Sequence, residues 1–215
     1  MTNNDSTEDT TSFPLKFVDK KEHIHILRNK LPHWNQRGCV QFVTFRLADS
    51  MPQSKLREYK HLKEDWMMQH PKPWNEQTQS EYYQTIGRFI DKWLDAGRGS
   101  CLLNDKRTRD IIEEAMMYFH GKRYRIHAYV IMPNHVHVLL STWGGYDMRL
   151  IVGSWKKYSA RLINKIYNRN GILWERECFD HMVRSPEAYE AKLRYITRNP
   201  KYLPAEHYTL VTEVQ

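Results

Sequence analysis

The stretch Tyr129-Val-Ile-Met-Pro-Asn-His-Val-His-Val-Leu-Leu140 decides how this chain is read. Val and Ile on both sides of the histidines favour a strand. Side chains of a strand alternate between faces, so His135 and His137 point one way while Val136 and Val138 point the other. Two imidazoles on one face form a ready clamp for a metal ion. The plainer alternative is a half-buried strand with two exposed histidines. The rest of the chain has to decide between them.

Composition narrows the field. A chain of 215 residues, with 40% hydrophobic and 13% aromatic side chains, is enough for one domain with a core and an insertion. No apolar run approaches the roughly 20 residues needed to span a bilayer, and the polar segment Met1 to Ser12 lacks the apolar stretch of a signal peptide. Cys39, Cys101 and Cys178 are widely spaced, which suits a reduced cytoplasmic setting. The net charge is +8, and it is unevenly placed. Residues 121–201 hold 15 Lys/Arg against 6 Asp/Glu, while the remainder holds 18 against 19. The excess therefore accompanies the histidine pair, and a polyanion such as nucleic acid is its natural partner.

Working outward, residues 1–22 read as a disordered tail, and residues 23–215 as a single domain. Pro32 and Gly38 bracket a turn. Cys39 to Leu47 is the first predicted strand. Residues 50–100 read as an inserted helical hairpin, broken at His70-Pro-Lys-Pro-Trp74. Its stripes are Leu56, Tyr59, Leu62 and Trp66, then Tyr82, Ile86, Phe89 and Trp93. The hairpin is expected to enlarge the core; a lid, a dimer arm or a DNA grip are the alternatives. Asn104 or Asp105 caps a helix running to about His120. Tyr124 to Met132 is a strand, and Pro133-Asn134 turns it back into the histidine strand. Ser154 is expected to cap a helix from Trp155 to about Asn168, with Trp155, Tyr158, Leu162 and Ile166 inward. On another face Lys157, Arg161 and Lys165 repeat every four residues, suiting a phosphate backbone or merely solvent. Ser185-Pro186 starts a last helix that ends near Asn199, before Pro200. Tyr195 lies off its apolar stripe of Tyr189, Leu193 and Ile196, and shares a face with Asn199 at i+4.

Four motifs in this order resemble the REP-associated tyrosine transposases, of the HUH single-strand transposase group: Met132-Pro-Asn-His-Val-His137, Trp174-Glu-Arg, Phe179-Asp-His-Met-Val-Arg184 and Tyr195-Ile-Thr-Arg-Asn-Pro200. The resemblance is strong over Tyr124 to Leu203, weak around Phe42 and absent over residues 50–100. Glu175 departs from the Gln that often follows the Trp. The resemblance implies an α+β, ferredoxin-like or RRM-like fold: an antiparallel sheet with helices packed on it, here with the helical insertion after the first strand.

It also implies chemistry. Tyr195 would be the nucleophile on single-stranded DNA, leaving a 5′-phosphotyrosine. A phenol, with a pKa of about 10, leaves more readily than an alkyl alcohol, so the strand can be rejoined. His135 and His137 would bind Mg²⁺ or Mn²⁺, with Asn199 as third ligand from the nucleophile helix. Tyr158 is the rival nucleophile, read instead as core. Lys156, Lys157, Arg161, Lys165, Arg194 and Arg198 are the candidate phosphate contacts. The implied substrate is hairpin DNA from palindromic repeats, the protein a monomer or homodimer at the nucleoid. Other readings are a domesticated hairpin-DNA-binding protein that does not cut, a metal-free RNA-binding protein on the same fold, and a zinc hydrolase. The last lacks a carboxylate base beside the histidines.

Overall fold

Alternation in the strands builds the layers of this protein, seen in a computed structural model that describes residues 15–19, 25–28, 32–36, 38–72, 74–143 and 145–214. Five strands make an antiparallel sheet: β3 (Val40–Arg46), β4 (Tyr124–Ile131), β5 (His135–Thr142), β6 (Phe179–Met182) and β7 (Thr209–Val211), in the spatial order β6-β3-β5-β4-β7. Two shorter strands, β1 (His25–Arg28) and β2 (Pro32–Asn35), pair with each other. The helices are α1 (Gln53–Gln69), α2 (Glu76–Tyr82), α3 (Arg88–Leu94), α4 (Lys106–Met117), α5 (Met148–Ile166) and α6 (Pro186–Arg198).

One face of the sheet is largely apolar. Val43, Phe45 and Leu47 from β3 and its end, with Val136, Val138 and Leu140 from β5, pack against Ile112 and Met116 of α4 and Ile151, Val152 and Trp155 of α5. Without β7, the strand order and the two helices on one face are those of a split βαββαβ unit. The fold is thus the expected ferredoxin-like α+β sandwich, extended by β7 and by α6 on the opposite face.

A bulge in β4 keeps that strand in phase. Its pairing with β5 shifts between Ile126 and Ala128, so Tyr124 and Ile126 before the bulge, and Tyr129 and Ile131 after it, all reach the same core. An extra residue reverses the alternation. Ala128 and Val130 then face α6 beside Phe42 and Leu139.

The insertion packs on this second face. Trp66, Trp74, Tyr82 and Ile86 form their own cluster, joined by Tyr59 and by Phe179 of β6. Between α2 and α3 lies one π-helical stretch, Tyr83–Gly87. Its wider turn lets Tyr82, Ile86, Ile90 and Leu94 stay buried at steps of four, in place of the expected Phe89 and Trp93. Gly99 closes the insertion: at φ +95°, a Cβ there would sit 2.5 Å from the Asp49 carbonyl oxygen, and the Asp49 carboxylate accepts from the Ser100 amide at 2.9 Å.

Several boundaries differ from expectation. α5 starts two turns earlier, because Asp147 caps it by accepting from the Arg149 amide at 2.8 Å. Ser154 lies inside the helix, where its hydroxyl donates back to the Ile151 carbonyl. The buried stripe accordingly runs Met148, Ile151, Val152, Trp155, Ser159 and Ile163, and Ile166 is exposed. The β1–β2 hairpin had no clear alternation to announce it. Residues 1–14 and 20–22 of the expected tail lie outside the described residues; Lys16 bridges to Cys39 beside the start of β3. Among the described residues no helix is long and apolar enough to cross a membrane.

Candidate active site

β3 and β5 set the site because their register places Thr44 opposite His137 and Arg46 opposite His135. All four side chains fall on the face that α6 and the insertion share. Both imidazoles are completely buried, with ring centroids 4.6 Å apart. Burial holds both in the neutral form: His135 is pushed down to about 3 and His137 well below its ordinary value. Neutral imidazole is the form that binds metal ions.

Each ring is held by its Nδ1. His137 Nδ1 shares a 2.7 Å hydrogen bond with Thr44 Oγ1. His135 Nδ1 is 2.7 Å from Asn134 Oδ1. The Asn134 amide nitrogen donates to the carbonyls of Leu94 and Arg98, at 3.3 and 3.0 Å. Its oxygen must therefore accept, so the His135 proton sits on Nδ1 and Nε2 carries a lone pair. Partners of this kind fix the tautomer of metal-binding histidines.

α6 brings the remaining groups. Ser185 caps it at 3.2 Å from the Ala188 amide and Pro186 opens its first turn, as the sequence predicts. Ile196 is buried in the second core, and Tyr195 packs at its rim. The Tyr195 hydroxyl lies 3.4 Å from His137 Nε2, and its ring meets Phe42 edge to face at 5.8 Å. Asn199 Oδ1 and His135 Nε2 are both buried without a hydrogen-bond partner, and these two side chains interact with each other. Two bare acceptors facing one another repel unless a proton or cation lies between them. The donor set of two imidazole nitrogens and an amide oxygen thus fits a divalent cation. Among the described residues no group of three His, Cys, Asp or Glu side chains could hold one.

Acidic neighbours come from the insertion, where sequence reasoning did not look. Asp91 and Asp95, one turn apart on and just after α3, face Tyr195 and Asn199, one turn apart on and just after α6. Burial raises the Asp91 carboxyl to about 6, opposed by nearby Lys192. Burial, then Asp91 and Asp95, push the Tyr195 phenol well above its ordinary value. The Asn199 amide nitrogen donates to Asp95 Oδ1 at 3.4 Å. Lys192, one turn before Tyr195, sits 4.4 Å over the Phe42 ring. A cavity of about 380 Å³ opens beside His135, Tyr195 and Asn199, with Arg198 and Lys201 at its wall.

The candidate phosphate contacts divide. Arg194 and Arg198 are exposed on α6, on the side of the site. Lys157, Arg161 and Lys165 are exposed on α5, which packs against the opposite face of the sheet. They do not share a surface with Tyr195. Lys156 is tied down, donating to the Arg176 carbonyl at 2.9 Å. Tyr158 is also on α5, and its hydroxyl donates to Glu114 at 2.8 Å, far from the histidines. Glu175 forms a 3.0 Å ion pair with the buried Arg46, which gives its departure from Gln a reason: it supplies the countercharge.

None of the curated proteins matches the chain. Among solved structures, a REP-associated tyrosine transposase bound to a REP hairpin aligns at TM-score 0.46 and 15% identity, over 81% of this chain and 73% of that one. A Deinococcus radiodurans R1 protein, provisionally named a transposase, aligns at TM-score 0.35 and 15% identity, over 77% of this chain and 96% of that one. Likenesses of this size say nothing of what this chain binds. The family model described as Transposase IS200 like matches residues 97–199, the segment that carries His135, His137, Tyr195 and Asn199. Over residues 97–199, this chain is similar to the IS200-like transposases.

Proposed function

We propose that this protein is a metal-dependent single-strand DNA endonuclease and strand transferase, acting on hairpin DNA of palindromic repeats through a 5′-phosphotyrosine, as the REP-associated transposases do. The observation that carries the reading is the Tyr195 hydroxyl 3.4 Å from His137 Nε2, beside the unpaired His135 Nε2 and Asn199 Oδ1. A phenol, two imidazoles and an amide oxygen converge from one strand, β5, and the end of one helix, α6, with Tyr195 and His137 58 positions apart, and with a cavity at hand.

A divalent cation held by His135, His137 and Asn199 would polarise the scissile phosphate. Imidazole suits Mn²⁺ better than the harder Mg²⁺, so Mn²⁺ is expected to work at least as well. Tyr195 Oη attacks phosphorus; the Oη–P bond forms as the phenol gives up its proton, the P–O3′ bond breaks, and the departing 3′-oxygen takes up one proton, so that the exchange balances. The strand on the 5′-phosphate side stays on the tyrosine, its bond energy conserved for rejoining. Phe42 and α6 hold the phenol so that little ordering is left for the reaction itself. Arg194, Arg198 and Lys201 offer cations to the entering backbone. The protein acts in the cytoplasm, at the nucleoid.

The test uses hairpin single-stranded DNA with Mn²⁺. A denaturation-resistant protein–DNA adduct is expected, lost in Tyr195→Phe and on adding EDTA. Hairpin binding without an adduct from the unaltered chain would replace this reading with that of a non-cleaving DNA-binding protein. Activity indifferent to EDTA and to His135→Ala would move it to the metal-free class.

A further inference from the structure

Two asparagines of the site end on the same short piece of chain. Asn134, which orients His135, donates to the backbone carbonyls of Leu94 and Arg98. Asn199 donates to the side chain of Asp95. Leu94 closes α3 and Asp95 follows it, so both anchors lie at the end of the insertion, outside the matched residues 97–199 except for Arg98.

An asparagine amide can sit either way round. With its nitrogen turned inward, Asn199 would hydrogen-bond the lone pair of His135 Nε2, and its oxygen would face Asp95. That arrangement satisfies His135 but leaves no oxygen for a cation. A carboxylate accepts and never donates when ionised, so Asp95 selects the opposite orientation, nitrogen outward and Oδ1 inward.

We propose that Asp95 is a positioning residue for the cation site: it locks the Asn199 amide with its oxygen toward His135, and the end of α3 thereby braces two donors at once. The insertion is then a working part of the site and not only added bulk. This inference rests on the cation site of the proposed function. Asp95 is exposed, so its replacement leaves the fold intact.

The experiment measures Mn²⁺ binding to the full chain by titration calorimetry and by the Mn²⁺ spin-resonance signal. Asp95→Ala is expected to weaken binding about tenfold, the lower end for loss of a supporting partner. Asp95→Asn offers a donor as well as an acceptor, so it no longer selects one Asn199 orientation and should also bind Mn²⁺ more weakly than the unaltered chain. His135→Ala should abolish binding. Adduct formation by Asp95→Ala should recover at saturating Mn²⁺, whereas Tyr195→Phe should not recover. Unchanged Mn²⁺ binding in Asp95→Ala overturns the positioning role. A loss in Asp95→Ala that vanishes when the titration is repeated at high salt also overturns it, because it would trace to charge and not to orientation. An adduct yield that stays low at saturating Mn²⁺ does the same. If the unaltered chain binds no Mn²⁺, or His135→Ala binds it equally well, the proposed function fails along with the inference.

Discussion

Thr44 and His137 face each other across β3 and β5, and a 2.7 Å hydrogen bond joins their side chains. The threonine is 4% exposed and the histidine 0%, so neither has water as a substitute. Thr44→Val keeps the shape and removes the partner. It is expected to lower Mn²⁺ affinity roughly tenfold and to cost about 1–2 kcal/mol in urea unfolding, the penalty of an unsatisfied buried nitrogen. Unchanged values in both measurements would mean that the ring is held by packing against Phe42 alone.

Arg46 offers a second test, of stability. Its guanidinium is buried, and burial lowers its pKa while Glu175 raises it. Glu175→Gln leaves the cation with weaker compensation. The ion pair is part exposed on the Glu175 side, so a loss of about 1–2 kcal/mol is expected, below the range for a fully buried pair. Adding Arg46→Met should restore part of it, read from the midpoints of denaturant curves.

Asp91 should give stability a pH signature. A carboxyl at about 6 in the fold, against its ordinary 3.8, binds its proton more tightly folded than unfolded. Stability from this group is therefore full below about pH 4 and is lost as the pH rises through about 6. Asp91→Asn removes that dependence. Relative to the variant, the unaltered chain should lose roughly 2 kcal/mol between pH 4 and 7.5. A flat difference would show that Asp91 titrates normally.

DNA binding should separate the two basic surfaces. Arg198→Ala, at the cavity wall, is expected to weaken binding of a short unpaired strand and to reduce its salt slope by about 1. Replacing Lys157, Arg161 and Lys165 together should leave that short strand unaffected, since α5 lies across the sheet from the site. A longer hairpin can wrap the edge and would feel both. Fluorescence anisotropy over a salt series distinguishes these outcomes. Equal losses on the short strand would contradict this division.

Tyr158→Phe should leave adduct formation at its full yield. The change removes a hydrogen bond to Glu114 at an exposed site, worth at most about 1 kcal/mol. Mass spectrometry of the adduct should find the phosphate on Tyr195 alone.

Sequence reading located the histidine strand, the turn before it and the last helix because each is a local pattern. Alternation places His135 and His137 together, and a spacing of four places Tyr195 with Asn199; neither needs a distant partner. The same local logic failed where a cap competed with another, as Asp147 did with Ser154. It failed again where the π-helical stretch shifted the phase of the insertion's stripe. The bulge in β4 was invisible for a related reason: one extra residue changes the alternation only when a neighbouring strand fixes the register.

Short-range periodicity, then, determined which side chains share a face, and hence the chemistry that this chain can carry. Only the tertiary structure decided what meets that face. It set the α5 cations on the far layer, tied Glu175 to Arg46, and laid the end of α3 against Asn134 and Asn199. Those contacts join residues from 36 to 129 positions apart. Such contacts are fixed by how buried surfaces and hydrogen bonds are shared among whole layers, and no window of neighbouring residues records that.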